Sequence, residues 1–347
     1  MSILMPTGSR LSSLAALFLI SLPSSGAWAD GKLTVVTTLT DLAAIARAVG
    51  GDRVEVTSIA SGVQDPHFVD PKPSYVVKLR DAELFLVNGL ELEVGWVRPL
   101  LDGARNPKIN AGADGYVDCS AGIPVLEVPS GELSRAEGDV HPRGNPHYLA
   151  DPLNGKIVAK TVAAALSRVD PTHAADYAAR EKAFSRSIDG AMFGRELVEE
   201  VGGAKLDRLA RSGELPAFLS ERGLTPKLGG WLEKLEPMRG QKIVFFHRSF
   251  TYFNARFGIA VAGFVEQKAG IQPGPGHLAE LVTRIRKESI RLVGTHAFYD
   301  AKIAALVSEK GGAKLVTFPL SVGGAKGADD YLKLFDVIAG LMSSAHP

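Results

Sequence analysis

The chain has 347 residues, of which 46% are hydrophobic and 22% charged, and it contains a single cysteine, Cys119. That length and apolar content fit a globular protein of about two domains, and one cysteine excludes an internal disulfide or a thiolate-rich metal site, so any transition metal must be held by nitrogen and oxygen. With 39 basic residues against 38 acidic ones and no basic run, nucleic acid is a poor partner.

The first 29 residues read as a secretory signal. Arg10 gives a positively charged start, residues 11–22 form an apolar run, and Ala27-Trp28-Ala29 is a small-x-small cleavage site. The run is shorter than the ~20 residues a bilayer span requires. Asp30 is then the first mature residue. No cysteine follows the cleavage point, so no N-terminal lipid anchor is expected.

The β-branched run Leu33-Thr34-Val35-Val36-Thr37-Thr38 predicts a buried strand. Residues 42–49 have helical spacing, with Asp41 as N-cap, and 54–59 predict a second strand. This leads into Gln64-Asp65-Pro66-His67-Phe68-Val69-Asp70-Pro71. Two prolines fix φ and push their predecessors toward extended geometry, so His67 is presented from a stiff loop. A helix over 74–80 and a strand over 82–89 complete βαβ units of a parallel sheet. In such sheets ligands gather beyond the carboxyl ends of the strands.

Residues 96–104 predict another helix, and 116–142 a surface loop. Asn145-Pro146-His147-Tyr148 follows, and Asp151-Pro152 opens a helix with Asp151 as N-cap and Pro152 in the first turn. Asp170-Pro171 repeats the start signal. Residues 172–189, uninterrupted by Gly or Pro, predict a helix roughly 27 Å long, read as a connection between two lobes. Residues 196–240 are mostly helical in pattern.

Strand grammar then returns. Strands are predicted over 242–246, which leads into His247, and over 259–265. Two more follow over 290–294, ahead of His296, and over 314–318, with helices at 278–287 and 330–341. The expected architecture is α/β: two lobes, each a mostly parallel sheet flanked by helices, joined by a long helix, with a cleft between them. The expected divisions are 30–169, 170–200 and 201–347.

His67, His147, His247 and His296 each follow a strand or turn near the predicted strand ends. Imidazole suits zinc, copper, iron and nickel, and a histidine-rich tetrahedral site favours zinc. Other features read as structural. His277 sits at a helix start as a supporting or surface residue, while His173 and His346 are read as solvent-exposed. Trp96 and Trp231 are packing residues. The loop Gly323-Gly324-Ala325-Lys326-Gly327 lacks the Lys-Ser/Thr pair of a phosphate cradle.

Asp65-Pro66-His67, Asn145-Pro146-His147-Tyr148 with Asp151-Pro152, and His247-Arg248-Ser249-Phe250-Thr251-Tyr252-Phe253 together resemble the signatures of the zinc/manganese substrate-binding proteins of bacterial ABC transporters. Lys72-Pro73-Ser74, Leu86-Val87-Asn88-Gly89, and Phe257-Gly258 ahead of Gly263 and Glu266 extend the resemblance over nearly the whole mature chain. The resemblance implies one divalent metal held in the cleft as transported ligand, Zn²⁺ first. It also implies a periplasmic monomer that performs no catalysis and has an importer's membrane permease as partner. Zinc-type members usually carry histidine at the position of His247, where manganese-type members tend to have glutamate.

Two departures matter. Zinc-type relatives often carry a long histidine-rich loop before the second ligand, and only His141 stands in that region here. The aspartate usual after the last strand is absent near Phe318-Pro319-Leu320-Ser321. The fourth donor is then His296, Asp329 or Asp330, Glu266, or water, with His296 favoured. The competing readings are a secreted zinc-dependent hydrolase, a manganese- or iron-binding member of the same family, and a periplasmic metallochaperone. No His-Glu-x-x-His pattern supports the hydrolase.

Overall fold

The structure is a computed structural model and describes residues 1–2, 31–130, 141–268 and 270–345. The signal segment therefore lies outside the described residues, apart from its first two. In the first half, β1 (Leu33–Thr37), α1 (Thr40–Gly50), β2 (Val54–Ser58), α2 (Pro73–Arg80), β3 (Leu84–Val87), α3 (Val97–Ala104) and β4 (Tyr116–Asp118) follow in order. All four strands pair in parallel, in the spatial order β2-β1-β3-β4. Leu33 lies opposite Val54, Val35 opposite Leu84, and Phe85 opposite Tyr116. β3 is buried along its whole length, as a strand covered on both faces must be.

Two long helices come next. α4 (Pro152–Val169) starts where Asp151 accepts a hydrogen bond from the Leu153 amide at 3.0 Å. A single 3₁₀ turn, Pro171–His173, leads into α5 (Ala174–Phe193). α6 (Arg195–Val201), α7 (Gly203–Ser212), α8 (Leu215–Glu221) and α9 (Gly230–Lys234) bring the chain to the second sheet. There β5 (Lys242–Phe245), α10 (Thr251–Phe257), β6 (Ala260–Phe264), α11 (Pro275–Lys287), β7 (Leu292–Thr295), α12 (Ala301–Gly311), β8 (Lys314–Thr317) and α13 (Tyr331–Ala345) complete the fold. The second sheet is also parallel and repeats the first order, β6-β5-β7-β8. α5 is the long connecting helix: it packs on α1 of the first lobe and on α9 beyond it.

Several sequence expectations are corrected. Asp41 is not the N-cap of α1; Leu39 holds that position, and the buried Asp41 side chain accepts from the Val322 amide at 3.0 Å. Asp170 does not cap α5. Its carboxylate is taken by His173 Nδ1 at 2.8 Å and the Tyr177 hydroxyl at 2.6 Å, so His173 is partnered rather than merely solvated. The stretch over 116–142 begins with β4, three residues too short to show a period. α10 and α12 lie in stretches to which the pattern assigned no element. α10 is rich in aromatic residues, which are indifferent helix formers, and the burial of Tyr252, Phe253 and Phe257 holds it in place.

One hydrophobic core runs from the first sheet through α4, α5, α9 and α13 to the inner face of the second, including Val35, Leu84, Ile188, Trp231, Phe253 and Phe335. A smaller cluster around Val244, Ile285 and Val293 closes the outer face of the second sheet. Residues Lys32–Pro347 accordingly form one compact unit.

Asp41 makes the junction with Val322 sensitive to pH. Burial pushes its carboxyl up from 3.8 to about 6, against the pull of hydrogen bonds from Ser321 and Val322. Folded Asp41 thus keeps its proton to higher pH than unfolded Asp41. Its contribution to stability is full below 3.8 and is lost as pH rises through about 6. The shift corresponds to roughly 3 kcal/mol. Asp41→Asn, which does not ionise, should exceed the parent in urea midpoint near neutral pH and lose that advantage in mild acid. Denaturation curves of both proteins in the two conditions test this, and a difference that does not vary with pH would refute it.

Candidate metal centre

Two of the histidine loops use the same local device. In Asp65-Pro66-His67 the Asp65 carboxylate accepts the backbone N–H of His67 at 3.0 Å, and in Asn145-Pro146-His147 the Asn145 amide oxygen accepts that of His147 at 2.9 Å. These are Asx turns with proline preset at the corner. Asp65 has a second function, since its Oδ1 also lies 2.7 Å from His67 Nδ1. Asn145 reaches instead into the second lobe, its Nδ2 donating to the Arg248 carbonyl at 3.0 Å, and also donates to Glu127 Oε2 of its own lobe at 2.8 Å.

The other two histidines stand directly beyond strands of the second sheet. His247 is separated from β5 by Phe246 alone, and its Nδ1 lies 2.8 Å from Oε2 of Glu266, just past β6. His296 follows β7, and its Nδ1 lies 2.9 Å from the Phe318 carbonyl, just past β8. β5 and β7 flank the point where the strand order reverses in that sheet, the place where open α/β sheets collect ligands.

His67, His147 and His247 each offer one ligand atom, and these atoms lie within 4.8 Å of one another. The three rings are 5.0–5.5 Å apart between centroids. Around a zinc ion with bonds of 2.0–2.1 Å, tetrahedral donors stand about 3.4 Å apart, so the trio needs only a small contraction to share an ion. Among the described residues no other group of three or more such side chains meets this closeness. His296 is not in the trio, though it is equally buried and adjacent enough to bear electrostatically on His147. His141 places its ring 5.4 Å from that of His67 and also lies outside the trio.

Protonation is set by what stands behind each ring. A carbonyl or carboxylate oxygen at Nδ1 takes the ring proton and leaves the Nε2 lone pair for a cation. This describes His67, His247 and His296. His147 is governed by burial: desolvation, with the nearby His67 and His247, holds its pKa well below the ordinary value. Its Nε2 is buried without a hydrogen-bond partner among the described residues. Desolvation likewise takes His296 down to about 4. Burial works to raise the Asp65 carboxyl, but the side-chain and backbone hydrogen bonds with His67 help to outweigh it and bring the group below its ordinary range.

The alternatives for a fourth donor separate clearly. Asp329 and Asp330 face Lys333 at the start of α13, with side chains 72% and 49% exposed. Glu266 is engaged behind His247. His277, at the start of α11, donates from Nε2 to the Phe264 carbonyl at 2.9 Å and is a supporting residue; His346 lies outside the described residues. Sequence reasoning missed the supports: Asn145, Asn88, and the Trp96 indole, which donates to the Pro66 carbonyl at 3.0 Å while packing in the core. The Asx-Pro-His pattern was the available signal for the first of these.

Removing the charge behind one ring tests the assignment. Glu266→Gln can still touch His247 Nδ1 but no longer fixes its tautomer, so metal affinity should fall by roughly 10–100-fold, the usual effect of losing such a partner. A chelator-competition titration reads this, and unchanged affinity would count against His247 as a ligand.

The family described as ZnuA, zinc-uptake complex component A, periplasmic, matches residues 35–192 and 229–345. The chain is 25% identical over 336 residues to the metal ABC transporter substrate-binding lipoprotein FimA of Streptococcus parasanguinis, covering 93% of this chain and 94% of that one. It is also 25% identical over 337 residues to the manganese ABC transporter substrate-binding lipoprotein PsaA of Streptococcus pneumoniae, with the same shares covered. A crystal structure of ZnuA shares its fold, with a TM-score of 0.67 at 21% identity over 91% of this chain and all of the other. Proteins of this kind bind a substrate for a transporter and are not enzymes, which sets the hydrolase reading aside. By the extent of the family match, the chain belongs to the zinc-uptake component A family of metal ABC transporter substrate-binding proteins.

Proposed function

We propose that this protein captures Zn²⁺ outside the cytoplasmic membrane and delivers it to the permease of an ABC importer. It would act as a periplasmic monomer, after removal of the signal segment behind Ala29. The observation that carries the choice of metal is the donor set: His67, His147 and His247 converge with no carboxylate among the converging atoms. Neutral imidazoles favour a borderline ion such as zinc, whereas manganese prefers oxygen donors. His296 closes the fourth position when the ion binds. Its support is the Phe318 carbonyl at Nδ1, which turns the Nε2 lone pair outward, and its burial beside the trio.

Competition against a chromogenic chelator should give one tight site per chain, with zinc bound more strongly than manganese. Stronger manganese binding would favour the manganese-type reading that the name of the Streptococcus pneumoniae relative brings in.

His67→Ala and His296→Ala should each weaken zinc binding by more than the roughly 10–100-fold expected of an outer partner. Circular dichroism should report an unchanged fold. If His296→Ala binds zinc like the parent while His67→Ala does not, water takes the fourth position.

A further inference from the structure

The segment after β3 is backbone under tension. Gly89, Leu90 and Glu91 have φ of 82°, 52° and 65°. Three successive residues on the left-handed side are costly, the more so because two of them carry side chains, and such strain persists only where its surroundings enforce it. The enforcing group is Glu93. Its buried carboxylate accepts the Asn88 amide at 2.6 Å and the Gly89 amide at 3.1 Å. A side chain at position 89 would also collide with Asp118.

What the segment holds is specific. Asn88 Nδ2 donates to the Pro146 carbonyl at 3.0 Å, and the Tyr148 hydroxyl donates to the Asn88 carbonyl at 2.8 Å, so His147 is bracketed on both sides. Eight residues on, the Trp96 indole donates to the Pro66 carbonyl at 3.0 Å, and its own amide is tied to the Glu93 carbonyl at 3.1 Å. Pro66 and Pro146 are the residues immediately before His67 and His147. Their carbonyls lie in the peptide planes that carry those histidines, so fixing each oxygen fixes the direction from which the imidazole departs.

We propose that Asn88, Glu93 and Trp96 are positioning residues for metal binding: one strained segment grips both Pro–His peptides of the first lobe and sets the spacing of His67 and His147. The inference rests on the metal-site reading. Glu93 is the keystone, because it accepts both amides at the start of the strained run, where the Thr38 hydroxyl shares only that of Asn88 at 3.2 Å, while Asn88 and Trp96 are the two arms.

The test uses the mature chain carrying Trp96→Phe, Asn88→Ala or Glu93→Gln, with His67→Ala as reference. Trp96→Phe keeps an aromatic ring but loses the N–H together with the second ring of a buried side chain, so its urea midpoint reads the packing loss separately. Glu93→Gln places an amide donor against an amide donor. Zn²⁺ release is followed by transfer to a chelator, site geometry by the visible absorption of the Co²⁺-loaded protein, and stability by urea denaturation of the metal-free form. Trp96→Phe and Asn88→Ala should release zinc roughly 10-fold faster or more with altered Co²⁺ bands, beyond any change in urea midpoint; Glu93→Gln should do so most strongly. If Glu93→Gln does not fold, the two arms carry the test. Parental release rates and Co²⁺ spectra in folded Trp96→Phe and Asn88→Ala, with binding lost in His67→Ala, overturn the inference and leave the metal site standing. Parental binding in His67→Ala overturns the site itself.

Discussion

An imidazole can hold a metal ion only through a nitrogen that has no proton, and that requirement orders this structure. Each candidate donor needs a proton acceptor behind it or a surrounding dry enough to keep it neutral. Asp65, Glu266 and the Phe318 carbonyl serve the first need for His67, His247 and His296, and burial serves the second for His147. The supports also balance charge. Two carboxylates behind neutral rings offset the two positive charges of a divalent ion, so a low-dielectric pocket can accept the ion without a large uncompensated charge.

The fold places these groups with little freedom. Parallel strands force every crossover to return behind the sheet, so the carboxyl-end loops of β2, β5 and β7 are left at the edge where the lobes meet. The His147 loop is braced from both sides. Asn145, through the Thr251 hydroxyl, and the Tyr252 hydroxyl join it to α10, and Arg256 makes a largely buried bidentate pair with Asp151, the cap of α4. Removing one partner of such a pair would leave a buried charge unmatched, at a cost of about 3–5 kcal/mol.

Much of this was legible in the sequence, for identifiable reasons. Strands buried on both faces announce themselves as unbroken β-branched runs, and Asx-Pro-His is a turn with a mechanism, so both sheets and the loops of His67 and His147 could be placed. The convergence of His67, His147 and His247 followed from the rule that ligands gather at strand ends. What escaped depends on partners remote in sequence. Asp41 looks like a helix cap until Val322, 281 positions away, claims its carboxylate. Asp170 was read as a cap for the same local reason and is held instead by His173 and Tyr177. β4 is pinned by its register with β3 and has too few residues to display a period.

The division between scaffold and donor set explains how one architecture serves more than one metal. Family membership covers most of the chain, yet relatives at the same 25% identity include one named for manganese. The sheets, the helix pair and the shared core fix where four side chains stand and say nothing of their chemistry. Selectivity then rests on few atoms. Exchanging one imidazole nitrogen at a strand end for a carboxylate oxygen would harden the site and add negative charge, moving preference from zinc toward manganese while every strand keeps its place. Here the candidate donors beyond β5 and β7, His247 and His296, both offer nitrogen, and the two carboxylates at the site, Asp65 and Glu266, lie at the backs of His67 and His247. The position of these carboxylates, behind the rings instead of beside them, is the physical basis for proposing zinc over manganese.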